Sequence, residues 1–137
     1  MTDTKLYAWI FLTVREQPTP LWDILSRADG INRADPRLEE LQMSLGWLQV
    51  QGLVKKEGKE YLYTETGAAL EKSISGGNIF EKWDAITTRF SQLPEIDFQA
   101  DEITEKEIAT AYRKRRKKSN EIMRRLKEEE KVKNASA

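Results

Sequence analysis

Two residue types that often carry chemistry are missing from the sequence, cysteine and histidine. Without cysteine the chain has no disulfide, no thiolate metal site and no thiol nucleophile. Without histidine it lacks the most common metal ligand and the usual general base near neutral pH. It also contains no Gly-rich phosphate loop and no Gly-x-Ser-x-Gly motif. We therefore expect no metal and no cofactor, and we predict that the protein is not an enzyme.

Long apolar runs are missing as well. The apolar patch near the N-terminus, LYAWIF at 6–11, is followed closely by Arg15 and Glu16. A membrane span needs ~20 apolar residues, and a signal peptide needs a longer apolar region between different flanks. We expect a soluble, cytoplasmic protein that makes no membrane contact.

The formal net charge is zero, but the two signs occupy different parts of the chain. Residues 1–74 carry 9 Lys or Arg and 11 Asp or Glu, residues 75–110 carry 3 and 8, and residues 111–137 carry 11 and 4. This asymmetry indicates either a basic arm for nucleic acid or internal pairing between acidic and basic segments. The charged share of 34% favours long exposed helices.

Apolar periodicity predicts a first helix over residues 4–16, in which Leu6, Ile10 and Val14 recur every four residues. A second helix is expected to begin with Thr19 as its N-cap and Pro20 as its first residue. Gly30 is the expected end of this helix, because the position after a helix favours a left-handed conformation.

The third helix is predicted over 36–51, from the Asp35-Pro36 start signal to a stop at Gly52. Its apolar stripe consists of Leu38, Leu41, Leu45 and Leu48. After Gly52 the pattern alternates, which predicts short strands at 53–54 and 61–63 joined by a charged turn around Gly58. Thr64 is then the expected cap of a fourth helix that ends near Lys72.

The passage GLVKKEGKEYLYTETGAALE, which starts at Gly52, resembles a passage common in winged helix-turn-helix regulators of the PadR and MarR types. In those families Gly-Leu-Val or Gly-Leu-Ile is followed by a charged turn and by Y-x-L-T-x-x-G-x-x-x-L. The resemblance extends over residues 5–73, and it departs from the family pattern where Tyr63 stands between Leu62 and Thr64 and where the turn is short. Gly67 is expected where the fourth helix meets the hairpin too closely for a side chain. The alternative is a helix–hairpin–helix unrelated to winged helices.

The predicted fold class is mainly α with a small β-hairpin, a winged helix-turn-helix followed by two additional C-terminal helices. Three segments are expected: a winged-helix domain at 1–74, an amphipathic aromatic helix with an acidic connection at 75–103, and a long basic helix at 104–137. Asn78 and Pro94 bound the aromatic helix, whose apolar stripe packs either on the domain or on its copy in a dimer.

Thr104 and Glu107 form a predicted capping box at the start of the last helix. This helix carries nine Lys or Arg within fifteen residues, 113–127, and is expected to fray at 134–137. Its cations either contact nucleic acid or form a solvated face that folds against the acidic residues 95–107.

The resemblance implies DNA binding, with the third helix in the major groove and the hairpin near the phosphates. Candidate nucleic-acid contacts are the cations near the third helix, in the hairpin and in the last helix: Arg33, Arg37, Lys55, Lys56, Lys59, Arg113, Lys114, Arg115, Arg116, Lys117 and Lys118.

The outer face of the third helix argues against ordinary groove binding. At 100° per residue, the side opposite the leucines carries Glu39 and apolar residues and no Lys or Arg. Carboxylates facing phosphates would oppose binding. Met43, Trp47 and Val50 instead predict a buried or partner-binding face. The candidate partner or dimer interface comprises Met43, Trp47, Val50, Phe80, Trp83 and Phe90.

Two functions follow from these patterns. The first is a non-enzymatic winged-helix protein that binds DNA, acts in transcription regulation and dimerises through the helices after residue 78. The alternative is a winged-helix module for protein interaction or dimerisation that does not bind DNA. The expected partners are accordingly DNA, a second copy of the chain, or another protein.

Overall fold

The structure is a computed structural model that describes residues 1–135. Within these residues it forms six helices and a two-stranded antiparallel sheet. The elements are α1 (Asp3–Phe11), α2 (Leu21–Asn32), α3 (Leu38–Val50), β1 (Val54–Glu57), β2 (Glu60–Tyr63), α4 (Glu65–Ser73), α5 (Ile79–Ser91) and α6 (Glu105–Ala135). The predicted combination of mostly helix with a small hairpin is confirmed.

The boundaries of the first two helices differ from the prediction. Helix α1 ends at Phe11 rather than at residue 16. Thr19 does not cap α2, because its N–H and C=O bond to the carbonyl and amide of Tyr61 at 2.7 and 3.0 Å. Helix α2 continues past Gly30 and ends at Asn32, where Arg33 takes the left-handed conformation with φ 51°. The expected Gly30 stop is therefore wrong.

Helix α3 begins two residues later than predicted, at Leu38. The reason is a cap that the sequence prediction missed, since the amide of Arg37 donates to Glu40 Oε1 at 2.8 Å. The other end is close to the prediction. The helix stops at Val50 and Gly52 has φ 73°, a left-handed conformation that glycine adopts without strain.

The hairpin has longer strands and a tighter turn than predicted. Val54 pairs with Tyr63 and Glu57 pairs with Glu60, so only residues 58 and 59 form the turn. Helix α4 follows as expected, since Thr64 Oγ1 accepts a hydrogen bond from the Gly67 amide at 3.0 Å. A Cβ at Gly67 would lie 1.9 Å from the carbonyl oxygen of Leu53, which confirms the predicted close approach.

Helix α5 packs on the body of the same chain. Asn78 caps it by accepting from the amide of Glu81 at 2.9 Å, as predicted. Its inner face packs against α1, where the rings of Trp83 and Trp9 lie 6.2 Å apart. One buried cluster contains Trp83, residues of α1 to α3 and Ala111 of α6. All three predicted segments therefore share this core.

Helix α6 begins at the predicted capping box, in which the amide of Glu107 donates to Thr104 Oγ1 at 3.1 Å. Its 31 residues extend over ~46 Å at 1.5 Å per residue. Residues 134 and 135, expected to fray, continue the helix, while 136 and 137 lie outside the described residues. No helix in the described part of the chain is both long and apolar enough to cross a membrane.

Candidate nucleic-acid interface

An extended segment runs along one side of α3 and leaves Met43 and Val50 exposed. We call residues 94–104, between α5 and α6, the strap. Gln42 binds it twice, since its carbonyl accepts from the Asp101 amide at 2.8 Å and its side-chain amide donates to the Ile103 carbonyl at 2.7 Å. Gln51 Nε2 donates to the Pro94 carbonyl at 2.8 Å. These polar groups of α3 are therefore engaged within the chain.

Asp101 fastens the strap to both α3 and the hairpin. One of its carboxylate oxygens accepts from the Tyr61 hydroxyl at 2.8 Å and from Lys56 Nζ at 3.2 Å, and the other accepts from Gln49 Nε2 at 2.8 Å. Burial, together with the adjacent Asp101 charge and this hydrogen bond, raises the pKa of Tyr61 far above its ordinary value. Lys56, expected to contact nucleic acid, is thus paired with a carboxylate of the same chain.

The predicted interface residues divide into buried and exposed groups. Trp47 stacks on Tyr7 with ring centroids 4.7 Å apart and also contacts Phe90 at 4.9 Å. Trp47, Trp83 and Phe90 are at most 8% exposed, so the chain itself covers them. Met43, Val50 and Phe80 remain exposed at 42%, 37% and 58%.

The predicted cations around α3 and the hairpin lie in different surroundings. Arg37 pairs with Glu40 at 3.5 Å, and Lys55 pairs with Glu57 at 3.7 Å. Arg33 and Lys59 are exposed at the end of α2 and at the hairpin turn. Exposed pairs of this kind are weak, so Arg37 and Lys55 stay available to a phosphate.

The inner face of the first turns of α6 packs on α2. Arg115 Nη1 donates to Asp35 Oδ1 at 2.7 Å and to the Leu25 carbonyl at 3.3 Å. The hydrogen bond to Asp35 raises the pKa of Arg115 above its ordinary value. Arg115 is therefore a packing residue. Within residues 1–135, no ion pair joins the basic run 113–118 to the acidic residues 95–107.

The opposite face of α6 carries a line of cations that we call the outer stripe. Advancing ~100° per residue, these side chains fall within an arc of ~100°. The outer stripe consists of Lys106, Arg113, Arg116, Lys117, Arg124, Lys127 and Lys131, all exposed. It is ~38 Å long at 1.5 Å per residue. All glutamates of α6 lie outside this arc, so the stripe has one sign of charge along its length.

No ion pair within residues 1–135 involves a member of the outer stripe. Cations spaced in this way along one face of a helix create a strong local field. The arrangement suits a polyanion whose charges repeat along its length, and nucleic-acid backbones are polyanions of this kind. The described residues also contain no cluster of acidic side chains able to hold a metal ion.

Sequence reasoning found most of the cations but missed three features. Lys106 and Lys131 lie outside the dense basic run, and only projection onto a helix over 105–135 places them on the same face. The strap lacks any periodic signal, so its position on α3 could not be predicted. The sequence pattern did not distinguish Trp22 from the other aromatic residues.

Comparisons of this chain with protein-family models, curated proteins and solved structures find no match. The function therefore has to be inferred from the geometry of these surfaces.

Proposed function

We propose that this protein is a non-enzymatic nucleic-acid-binding protein of the winged-helix type that binds the phosphate backbone through the outer stripe of α6. The observation that carries the proposal is the outer stripe itself, with seven exposed cations and no carboxylate on one helical face. Phosphate contacts supply most sequence-independent affinity for nucleic acid. A role in transcription regulation is part of the proposal.

The order of the elements supports the winged-helix part of the proposal. Three helices precede the hairpin, and α4 follows it directly. The connection between α1 and α2 adds to the hairpin through the paired backbones of Thr19 and Tyr61. These contacts place the hairpin beside the start of α2, with its turn at Gly58 and Lys59 exposed.

The strap determines which surface binds in this proposal. A helix that enters the major groove must present its side chains to base edges. Here Gln42, Gln49 and Gln51 are bonded to the strap or to neighbouring backbone. We infer that α3 is a structural helix in this protein and that the cationic contact has moved to α6.

Charge reversal on the outer stripe tests the proposal. We expect Lys117→Glu with Arg124→Glu to weaken binding to random-sequence DNA by roughly 10- to 100-fold at ~0.1 M salt, because two phosphate contacts become repulsive. The magnitude of the slope of log affinity against log salt should fall by about 1.4 to 1.8, at ~0.7 per lost contact on single strands and ~0.9 on duplex. Fluorescence anisotropy at several salt concentrations measures both quantities.

The matched control is Lys72→Glu with Arg89→Glu. It changes the net charge equally, and both residues are exposed on α4 and α5 rather than on α6. Its salt slope should equal that of the unaltered protein. If the two double variants lose affinity equally, only the total charge matters, and this result would count against α6 as the contact.

One observation favours the alternative function, a module for protein interaction or dimerisation. Ile122 and Leu126 are 55% and 54% exposed. They continue the helical face on which Ala111 and Arg115 pack against the body. Sedimentation at several protein concentrations without DNA distinguishes this alternative: a stable dimer that shows no salt-dependent DNA affinity would support it over nucleic-acid binding.

A further inference from the structure

A cleft opens where the hairpin turn, the start of α2 and the first turns of α6 meet. Its volume is about 530 Å³. Its lining includes Leu21 and Trp22 of α2, Lys59 of the hairpin turn, and Lys106, Ala111 and Lys114 of α6. The lining combines an apolar part, contributed by α2 and Ala111, with lysines from two different elements.

The lysines stand on both sides of the cleft. Lys59 comes from the hairpin turn, while Lys106 and Lys114 come from α6. Two carboxylates also line the cleft. That of Glu107 accepts a hydrogen bond from the Thr104 hydroxyl at 3.2 Å within the capping box, and that of Glu60 lies next to Lys59 on the exposed end of the hairpin. The lysines therefore outnumber the carboxylates in the cleft lining by three to two.

Trp22 differs from the other three tryptophans. Trp9, Trp47 and Trp83 are buried at 2%, 8% and 4% exposure, whereas Trp22 is only partly buried and lines the cleft. The ammonium of Lys118 lies 5.6 Å from the centre of its ring. The cleft thus presents an aromatic ring beside cations from two elements.

We propose that this cleft binds an unpaired nucleotide of a single-stranded nucleic acid, with the base against Trp22 and Leu21 and the phosphates at Lys59, Lys106 and Lys114. This inference rests on the proposed function and adds the class of ligand. Aromatic side chains next to a cationic track are the general means of holding single strands, because every base has a flat face. Bases in a duplex are stacked on each other and cannot enter. The protein therefore prefers single strands to duplex.

Lys106 connects the cleft to the outer stripe, since it belongs to both. A strand whose backbone follows the outer stripe can therefore place its last contacted nucleotide in the cleft without leaving the cationic surface. Lys55 provides the contrast, because it lies on the same hairpin, pairs with Glu57 at 3.7 Å and does not line the cleft.

Three ligands of equal length test the inference: a single-stranded DNA, its duplex, and a single strand of abasic nucleotides. We expect tightest binding and quenching of tryptophan fluorescence with the first, and no quenching with the abasic strand, which keeps the phosphates and lacks the bases. Trp22→Ala should lower single-strand affinity by roughly tenfold and abolish the quenching. It should leave abasic-strand affinity unchanged.

Trp22→Phe controls for folding, since it keeps an aromatic ring; we expect it to restore most of the affinity. Lys59→Glu should reduce single-strand affinity several-fold more than Lys55→Glu, although both change the charge equally. Equal affinity for the intact and abasic strands, with salt-dependent binding retained, would contradict nucleotide binding in the cleft and leave the proposed function standing. Absence of salt-dependent binding to all three ligands would contradict both nucleotide binding in the cleft and the proposed function.

Discussion

Two glycines inside helices have opposite surroundings. At Gly30 of α2, an added Cβ would meet nothing within 4 Å, whereas at Gly46 of α3 it would lie 2.2 Å from the carbonyl oxygen of Gln99 on the strap. Both glycines weaken their helix in the same way, because glycine has the highest conformational entropy in the unfolded chain. Only Gly46 is required by packing. The sequence could not distinguish them, because the difference depends on a residue far along the chain.

We expect Gly30→Ala to raise the free energy of unfolding by about 0.5–1 kcal/mol, since it improves helix propensity without a clash. Gly46→Ala should instead lower it by about 1–3 kcal/mol, because the strap must move away from α3. Urea unfolding followed by circular dichroism measures both changes. Stabilisation of similar size in the two variants would mean that the strap does not pack on α3 as described.

The strap is the element whose role was hardest to predict. Its sequence, rich in carboxylates, predicts an acidic connection, against which the basic helix either folds or does not. Its position depends on Asp101, which is 8% exposed and whose partners Gln49, Lys56 and Tyr61 come from α3 and both strands. A buried carboxylate held by three separate elements leaves no periodic pattern in the sequence.

Removing this anchor should release the strap. We expect Asp101→Ala to lower the free energy of unfolding by about 2–4 kcal/mol, because Lys56 and the Tyr61 hydroxyl lose a buried acceptor. Asp97→Ala changes an exposed carboxylate on the same strap and should cost less than ~0.5 kcal/mol. Unfolding curves give both values, and hydrogen exchange at the backbone amide of residue 101, which donates to the Gln42 carbonyl, should accelerate only in the first variant. Equal effects would contradict the anchoring role.

Elements with local signals were predicted well. The caps at Thr64, Asn78 and Thr104 each depend on a side chain three residues before its partner amide, so the sequence contains the whole interaction. Thr19 carries the same local signal, yet its backbone pairs with Tyr61. Long-range pairing prevailed over a local preference there, and no local pattern could show it.

For the whole molecule, the basic segment gives one exposed face of α6 a single sign of charge. The Asp101 carboxylate of the acidic segment pairs with Lys56 and holds the strap in place. The outer stripe lies on the face of α6 opposite the one that packs on the body, and its cations are exposed. The sequence pattern predicted the basic helix, and the lack of Lys and Arg on the outer face of α3 argued against α3 as a DNA-binding helix. The contact of the strap with Gln42 and Gly46 on one side of α3 could not be predicted, because it depends on how α5 and the strap fold back.

Site-specific photocrosslinking to DNA tests the central claim most directly. The chain has no cysteine, so a single cysteine carrying a photoreactive group can be placed at will. Asn120 is uncharged and lies at the centre of the outer stripe, and Met43 is exposed on α3. We predict that Asn120→Cys crosslinks to DNA and that Met43→Cys does not. Crosslinking at residue 43 but not at residue 120 would contradict the claim that α6 provides the nucleic-acid contact.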